Sequence, residues 1–89
     1  MPTLTRSQLG HRVTTVRALA NFRLLLTFDG HDRRMVDIKA LAKPGGVFEP
    51  VLQSPAVFEA VRIRGRGIEW PDGPTPDPDL LYAMSTPAQ

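Results

Sequence analysis

Gly67-Ile68-Glu69-Trp70-Pro71-Asp72-Gly73, followed by Asp77-Pro78-Asp79-Leu80-Leu81-Tyr82, decides how this chain folds. Ile68 and Trp70 alternate with Glu69 as a short strand requires, and Pro71-Asp72-Gly73 turns the chain. Asp77 then stands where a helix N-cap belongs, with Pro78 at the first helical position, where a missing N–H costs nothing. Asp79 lies near the positive end of the helix dipole, and Leu80, Leu81 and Met84 are expected to form the apolar face of a helix over 78–84. Upstream, Gly65-Arg66-Gly67 reverses the chain and Ile63 is expected to face inward between Arg62 and Arg64, which predicts a hairpin.

The middle of the chain supplies a second hairpin. In Arg23-Leu24-Leu25-Leu26-Thr27-Phe28, Leu24, Leu26 and Phe28 share one face and Arg23, Leu25 and Thr27 the other. Asp29-Gly30 makes the turn, and Arg34, Val36 and Ile38 alternate along the next strand. Before it, the β-branched run Val13-Thr14-Thr15-Val16 predicts a strand from Val13 to Ala20, closed by a tight turn at Asn21. Lys39 to Lys43 is long enough for one helical turn before Pro44-Gly45-Gly46 stops it, and Phe48 and Val51 fall into the core. Ser54-Pro55 caps a short helix whose apolar face is Val57, Phe58 and Val61. The order has no long βαβ crossover, so the expected fold is α+β, a small antiparallel sheet of about five strands in two hairpins with two short helices. Residues 1–12 are expected to be a flexible lead-in, 13–84 one domain, and 85–89 a frayed tail.

With 89 residues there is room for one core. A domain of this size buries a modest share of its surface, and pairing with a second copy is one way to add to it. The absence of cysteine excludes disulfides, thiolate zinc sites and a cysteine nucleophile. The first twenty residues hold Arg6, Arg12 and Arg17 and no continuous apolar run, so neither a signal peptide nor a membrane span is expected and the cytoplasm is the expected location. A formal charge of +2 conceals an asymmetry: residues 1–66 carry all eleven Lys and Arg against five acids, and residues 67–89 carry four acids with no Lys or Arg. The basic part is suited either to an acidic partner or to the chain's own acidic end.

Across roughly Val13 to Ala83 the chain resembles the bacterial "domain of unknown function 2442" family. The resemblance rests on Leu24-Leu25-Leu26-Thr27-Phe28-Asp29-Gly30, Val36-Asp37-Ile38, Gly46-Val47-Phe48-Glu49-Pro50, Phe58 with Val61-Arg62, Ile68-Glu69-Trp70-Pro71-Asp72-Gly73, Asp77-Pro78 and Leu81-Tyr82. It implies a small α+β domain of bacterial type with no established activity and no agreed catalytic residues. It also implies that some relatives are encoded beside a second small protein, in an arrangement similar to toxin–antitoxin pairs.

No constellation of residues spells catalysis. Glu69, Asp72, Asp77 and Asp79 are the nearest approach to a cation or acid–base site, but they lack the spacing of a calcium loop, and a turn and a helix cap account for them. His11 and His31 form no ligand pair, Ser7, Ser54 and Ser85 have no nucleophile-elbow context, and the glycines at 45, 46, 65 and 67 do not form a phosphate loop. No catalytic residue, cofactor or metal is therefore expected.

Two surfaces remain as candidates. Trp70, with Asp72 and Tyr82, is a candidate anchor for a partner protein, although a small domain needs each large apolar side chain and a place in the core over Phe48 or Leu81 is favoured for the indole. Arg62, Arg64 and Arg66 project from one face of a hairpin and suit phosphates, with Arg33, Arg23 and Arg17 extending the patch if their strands are neighbours. Aromatic side chains are not interleaved there for base stacking. The resulting expectation is a non-enzymatic protein-interaction module, antitoxin-like and paired with a small neighbouring-gene product. The alternative is a nucleic-acid-binding accessory that uses the arginine hairpin.

Overall fold

The computed structural model of the chain describes residues 10–71 and 73–88. Strands β1 (Val13–Leu19), β2 (Arg23–Phe28) and β3 (Asp32–Asp37) form an antiparallel meander, and a short β6 (Thr86–Pro87) adds to β3, giving the order β1-β2-β3-β6. A separate two-stranded sheet pairs β4 (Arg62–Arg64) with β5 (Gly67–Glu69). Three short helices complete the α+β fold: α1 (Ile38–Leu41), α2 (Pro55–Glu59) and α3 (Pro78–Met84).

Local chemistry explains most boundaries. The Ser54 hydroxyl accepts the Val57 N–H at 3.2 Å and Pro55 opens α2; the Asp77 carboxylate accepts the Asp79 N–H at 2.9 Å and Pro78 opens α3. The β2–β3 turn places Asp29 at φ 55 and Gly30 at φ 82, a left-handed pair that aspartate and glycine tolerate. At the β1–β2 turn the left-handed pair is Asn21 and Phe22 (φ 61 and 59). A left-handed phenylalanine carries a cost of roughly 1–2 kcal/mol, which its packing against Phe58 (centroids 5.3 Å apart) offsets.

Register fixes which side chains enter the core. Leu24, Leu26 and Phe28 lie beside Val36 and Val13 on one face and are fully buried. Val13 reaches that face because the β1–β2 register shifts between Val13 and Thr15. The extra residue, Thr14, is held by its hydroxyl, which donates to the Thr27 carbonyl and accepts the Gly30 N–H. Against this face pack Ile38, Phe48, Val51, Phe58, Ile68, Trp70 and Leu81.

The structure departs from the sequence expectations at several points. The third strand ends at Asp37, because that carboxylate caps α1 by accepting the Lys39 and Ala40 N–H groups, so Ile38 enters the core from a helix. Ile63 is 40% exposed; of the opposed pair Ile63 and Ile68, only Ile68 reaches the core. Leu80 and Met84 are also largely exposed, since the two-turn α3 rests on the core through Leu81 alone, with Tyr82 at the margin. Val57 likewise faces outward while Phe58 fills the core. The strands form two sheets, and residues expected to fray instead supply β6: Ser85 is buried and the Ala88 N–H donates to the Arg33 carbonyl at 2.9 Å. Gly10 and His11, expected in the lead-in, dock against Arg66, Asp79 and Tyr82.

Candidate interaction surface

Trp70 is core and not an exposed anchor. β5 carries the indole inward, the Trp70-to-Gly73 turn closes behind it through the Gly73 N–H bond to the Trp70 carbonyl at 2.9 Å, and 2% of the residue is exposed. Its Nε1–H donates to the Phe58 carbonyl at 2.7 Å, while Phe48 meets the ring edge-on and Phe58 packs at 33° to it. A buried indole needs such a partner for its N–H, and the end of α2 provides it. Asp72, the second of the sequence candidates here, lies outside the described residues.

Tyr82, the third candidate, is half-buried at the centre of a cluster that the sequence did not disclose. The His11 ring stacks on it at 3.6 Å and 7°, and the Arg34 guanidinium lies 4.3 Å from its centroid. Two groups this close cannot share one face of a ring, so the phenol is sandwiched. Its hydroxyl donates to Asp32 Oδ2 at 2.9 Å. That bond, with desolvation, raises the Tyr82 pKa above its ordinary 10.0. Arg34 Nε donates to the Ser85 hydroxyl at 2.6 Å, which in turn donates to the Tyr82 carbonyl. His11 Nδ1 sits 3.5 Å from Asp29 Oδ2, its backbone N–H donates to Asp79 and its carbonyl accepts from Arg66. These groups are engaged with one another, so the cluster ties the entry of the chain, the β2–β3 turn, α3 and β6 together.

The arginines do not form a single patch. Arg62 and Arg64 both reach Glu69 on the neighbouring strand, at 2.7 and 3.9 Å, and Arg66 is spent on the His11 carbonyl. The acidic end of the chain thus neutralises part of its basic hairpin. Of the other acids, Asp77 caps α3, as its place before Pro78 indicates, and Asp79 holds His11. Arg33 belongs with Arg17 and Arg23 on a different surface, the face of the four-stranded sheet turned away from the core.

That outer face follows from the register. Thr15, Thr27 and Arg33 form one cross-strand row; Arg17, Leu25, Met35 and Thr86 the next; Leu19, Arg23 and Asp37 the third. Leu19, Leu25 and Met35 are half-buried and absent from the side chains that pack on the core. Arg17, Arg23 and Arg33 are exposed and make no ion pair among the described residues. Among the described residues the one carboxylate on this face, Asp37, is occupied in capping α1. Alternation in β1, β2 and β3, legible in the sequence, marks the residues of this face; only strand adjacency assembles them.

A family model described as "Protein of unknown function (DUF2442)" matches residues 13–87. No curated protein and no solved structure matches the chain. No helix among the described residues is long and apolar enough to cross a membrane.

Proposed function

The chain belongs to the DUF2442 family, proteins of unknown function, and we propose that it is a non-enzymatic protein-interaction module working through the outer face of its four-stranded sheet. One observation carries this proposal: three arginines that make no ion pair among the described residues flank two half-buried aliphatic side chains, Leu25 and Met35, on a face that the described core does not use. Arginine and methionine are among the residue types enriched at protein interfaces. The mutual engagement of the ionisable groups around Tyr82 supports a packing role for that cluster, in keeping with a binding protein. The partner is the small product of a neighbouring gene, in the antitoxin-like arrangement that the family resemblance suggests, and the setting is the bacterial cytoplasm.

Co-expression with the adjacent open reading frame, followed by size-exclusion chromatography with light scattering, tests the proposal. A mixed complex heavier than the 9.8 kDa chain is expected. Elution of the chain alone, or only as a pair of identical copies, would overturn it. Nucleic-acid binding by the β4–β5 hairpin is the weaker alternative, because Glu69 already engages Arg62 and Arg64.

A further inference from the structure

We infer that the outer face binds an acidic segment of a protein, with carboxylates on Arg17, Arg23 and Arg33 and an apolar side chain over Leu25 and Met35. This rests on the interaction proposal above and names the chemistry of its partner. Strand geometry sets the spacing: Arg17 and Arg23 lie on adjacent strands about 8 Å apart, Arg17 and Arg33 about 12 Å, and Arg23 and Arg33 about 14 Å. The three charges therefore form a triangle that encloses Leu25, with Met35 just outside its Arg23–Arg33 edge. Each guanidinium offers a planar fork suited to a carboxylate, and none has one among the described residues.

Charge complementarity alone also fits phosphates, so the centre of the face decides between them. A sheet that binds single-stranded nucleic acid displays aromatic side chains for base stacking, whereas the rows here contain Thr, Leu, Met, Asp and Arg and no aromatic. The positive charges form a triangle and do not track a backbone as a stripe would. Aliphatic side chains flanked by arginine match a peptide that alternates acidic and aliphatic residues.

The probe is a fluorescein-labelled peptide of glutamates interrupted by leucines, with labelled oligothymidine of equal length as the rival, both followed by anisotropy at low salt against the full chain. The peptide is expected to bind more tightly than oligothymidine and to weaken as salt rises. Replacing the three arginines together (Arg17→Gln, Arg23→Gln, Arg33→Gln) is expected to weaken peptide binding by about 30-fold, from modest, partly screened contributions at each site. The paired Arg62→Gln, Arg64→Gln control is expected to change it less than about 3-fold by the same reckoning. The three Arg→Lys changes made together preserve charge and guard against a folding artefact; they are expected to restore part of the binding lost with glutamine, the part owed to charge and not to the planar fork. No peptide binding by the native chain, binding unchanged in the triple glutamine variant, or tighter binding of oligothymidine would each overturn the inference. A neighbouring-gene product that binds the triple variant as well as the native chain removes this surface and leaves standing only that the chain binds a partner protein. Peptide binding that needs the three arginines, without any such product, does the reverse.

Discussion

Trp70→Phe separates a structural indole from an interface anchor. The native indole is 2% exposed, packs between Phe48 and Phe58, and donates from Nε1 to the Phe58 carbonyl. Shortening the ring leaves a void of about 40 Å³, worth about 1 kcal/mol at the cavity rate measured in protein cores. Lost apolar burial adds about 1 kcal/mol. The missing hydrogen bond adds about 0.5–1 kcal/mol, at the lower end because the Phe58 carbonyl keeps the Val61 N–H at 3.3 Å and is not orphaned. The expected loss is about 2–3 kcal/mol, against a total stability for a chain of this length on the order of 4–13 kcal/mol. The variant therefore still folds, with a melting temperature lower by about 10–20 °C. Urea unfolding followed by far-ultraviolet circular dichroism is the suitable assay, since the substitution removes the only tryptophan and with it the fluorescence signal. A loss below about 0.5 kcal/mol, the scale of ordinary surface changes, would refute the placement of Trp70 in the core.

Four further outcomes are expected. Tyr82 is the only tyrosine, so its phenolate absorbance titrates alone; the midpoint is expected above 10.0 and to fall in Asp32→Asn, and an unchanged midpoint would remove Asp32 as the main cause. Because the folded pKa is raised, the stabilising contribution is complete below pH 10.0 and lost as pH climbs through the folded value, so Tyr82→Phe should remove that part of the alkaline decline in urea stability. Ser54→Ala and Asp77→Ala should each cost about 1 kcal/mol, and their double variant about 2, because the two caps share no partner; a strongly non-additive double variant would contradict that independence. Gly73→Ala places a Cβ 3.1 Å from that of Trp70 and 3.5 Å from Val51 Cγ1, so it should cost about 1–3 kcal/mol by overpacking, and a neutral result in the same unfolding assay would show that the turn yields freely.

Much of the fold was legible because its signals are short in range. Alternation gave the faces of β2, the Asp29-Gly30 turn gave its hairpin, and the Ser54-Pro55 and Asp77-Pro78 pairs gave the starts of α2 and α3, each through contacts among residues close in the chain. Where packing decides, local pattern failed. Leu80, Met84, Val57 and Ile63 carry apolar side chains at plausible spacings, yet which face of a two-turn helix or a three-residue strand is covered depends on elements far away in sequence. The candidate surface divides in the same way: Arg33 was named with the β4–β5 arginines, but strand order assigns it to the company of Arg17 and Arg23.

The amino-acid sequence alone determined the antiparallel α+β class, the turns and caps, and the absence of cysteine chemistry, since these depend on dihedral preferences, nearest-neighbour hydrogen bonds and composition. Tertiary structure alone decided that Trp70 is enclosed, that Glu69 engages Arg62 and Arg64, that residues 86–87 join the sheet, and that His11, Asp32, Arg34 and Ser85 meet at Tyr82. The Asp32–Tyr82 and Arg34–Ser85 bonds join groups 50 and 51 residues apart. Contacts of that range form only once the whole chain has closed on itself, and no local pattern encodes which side chains the closure brings together.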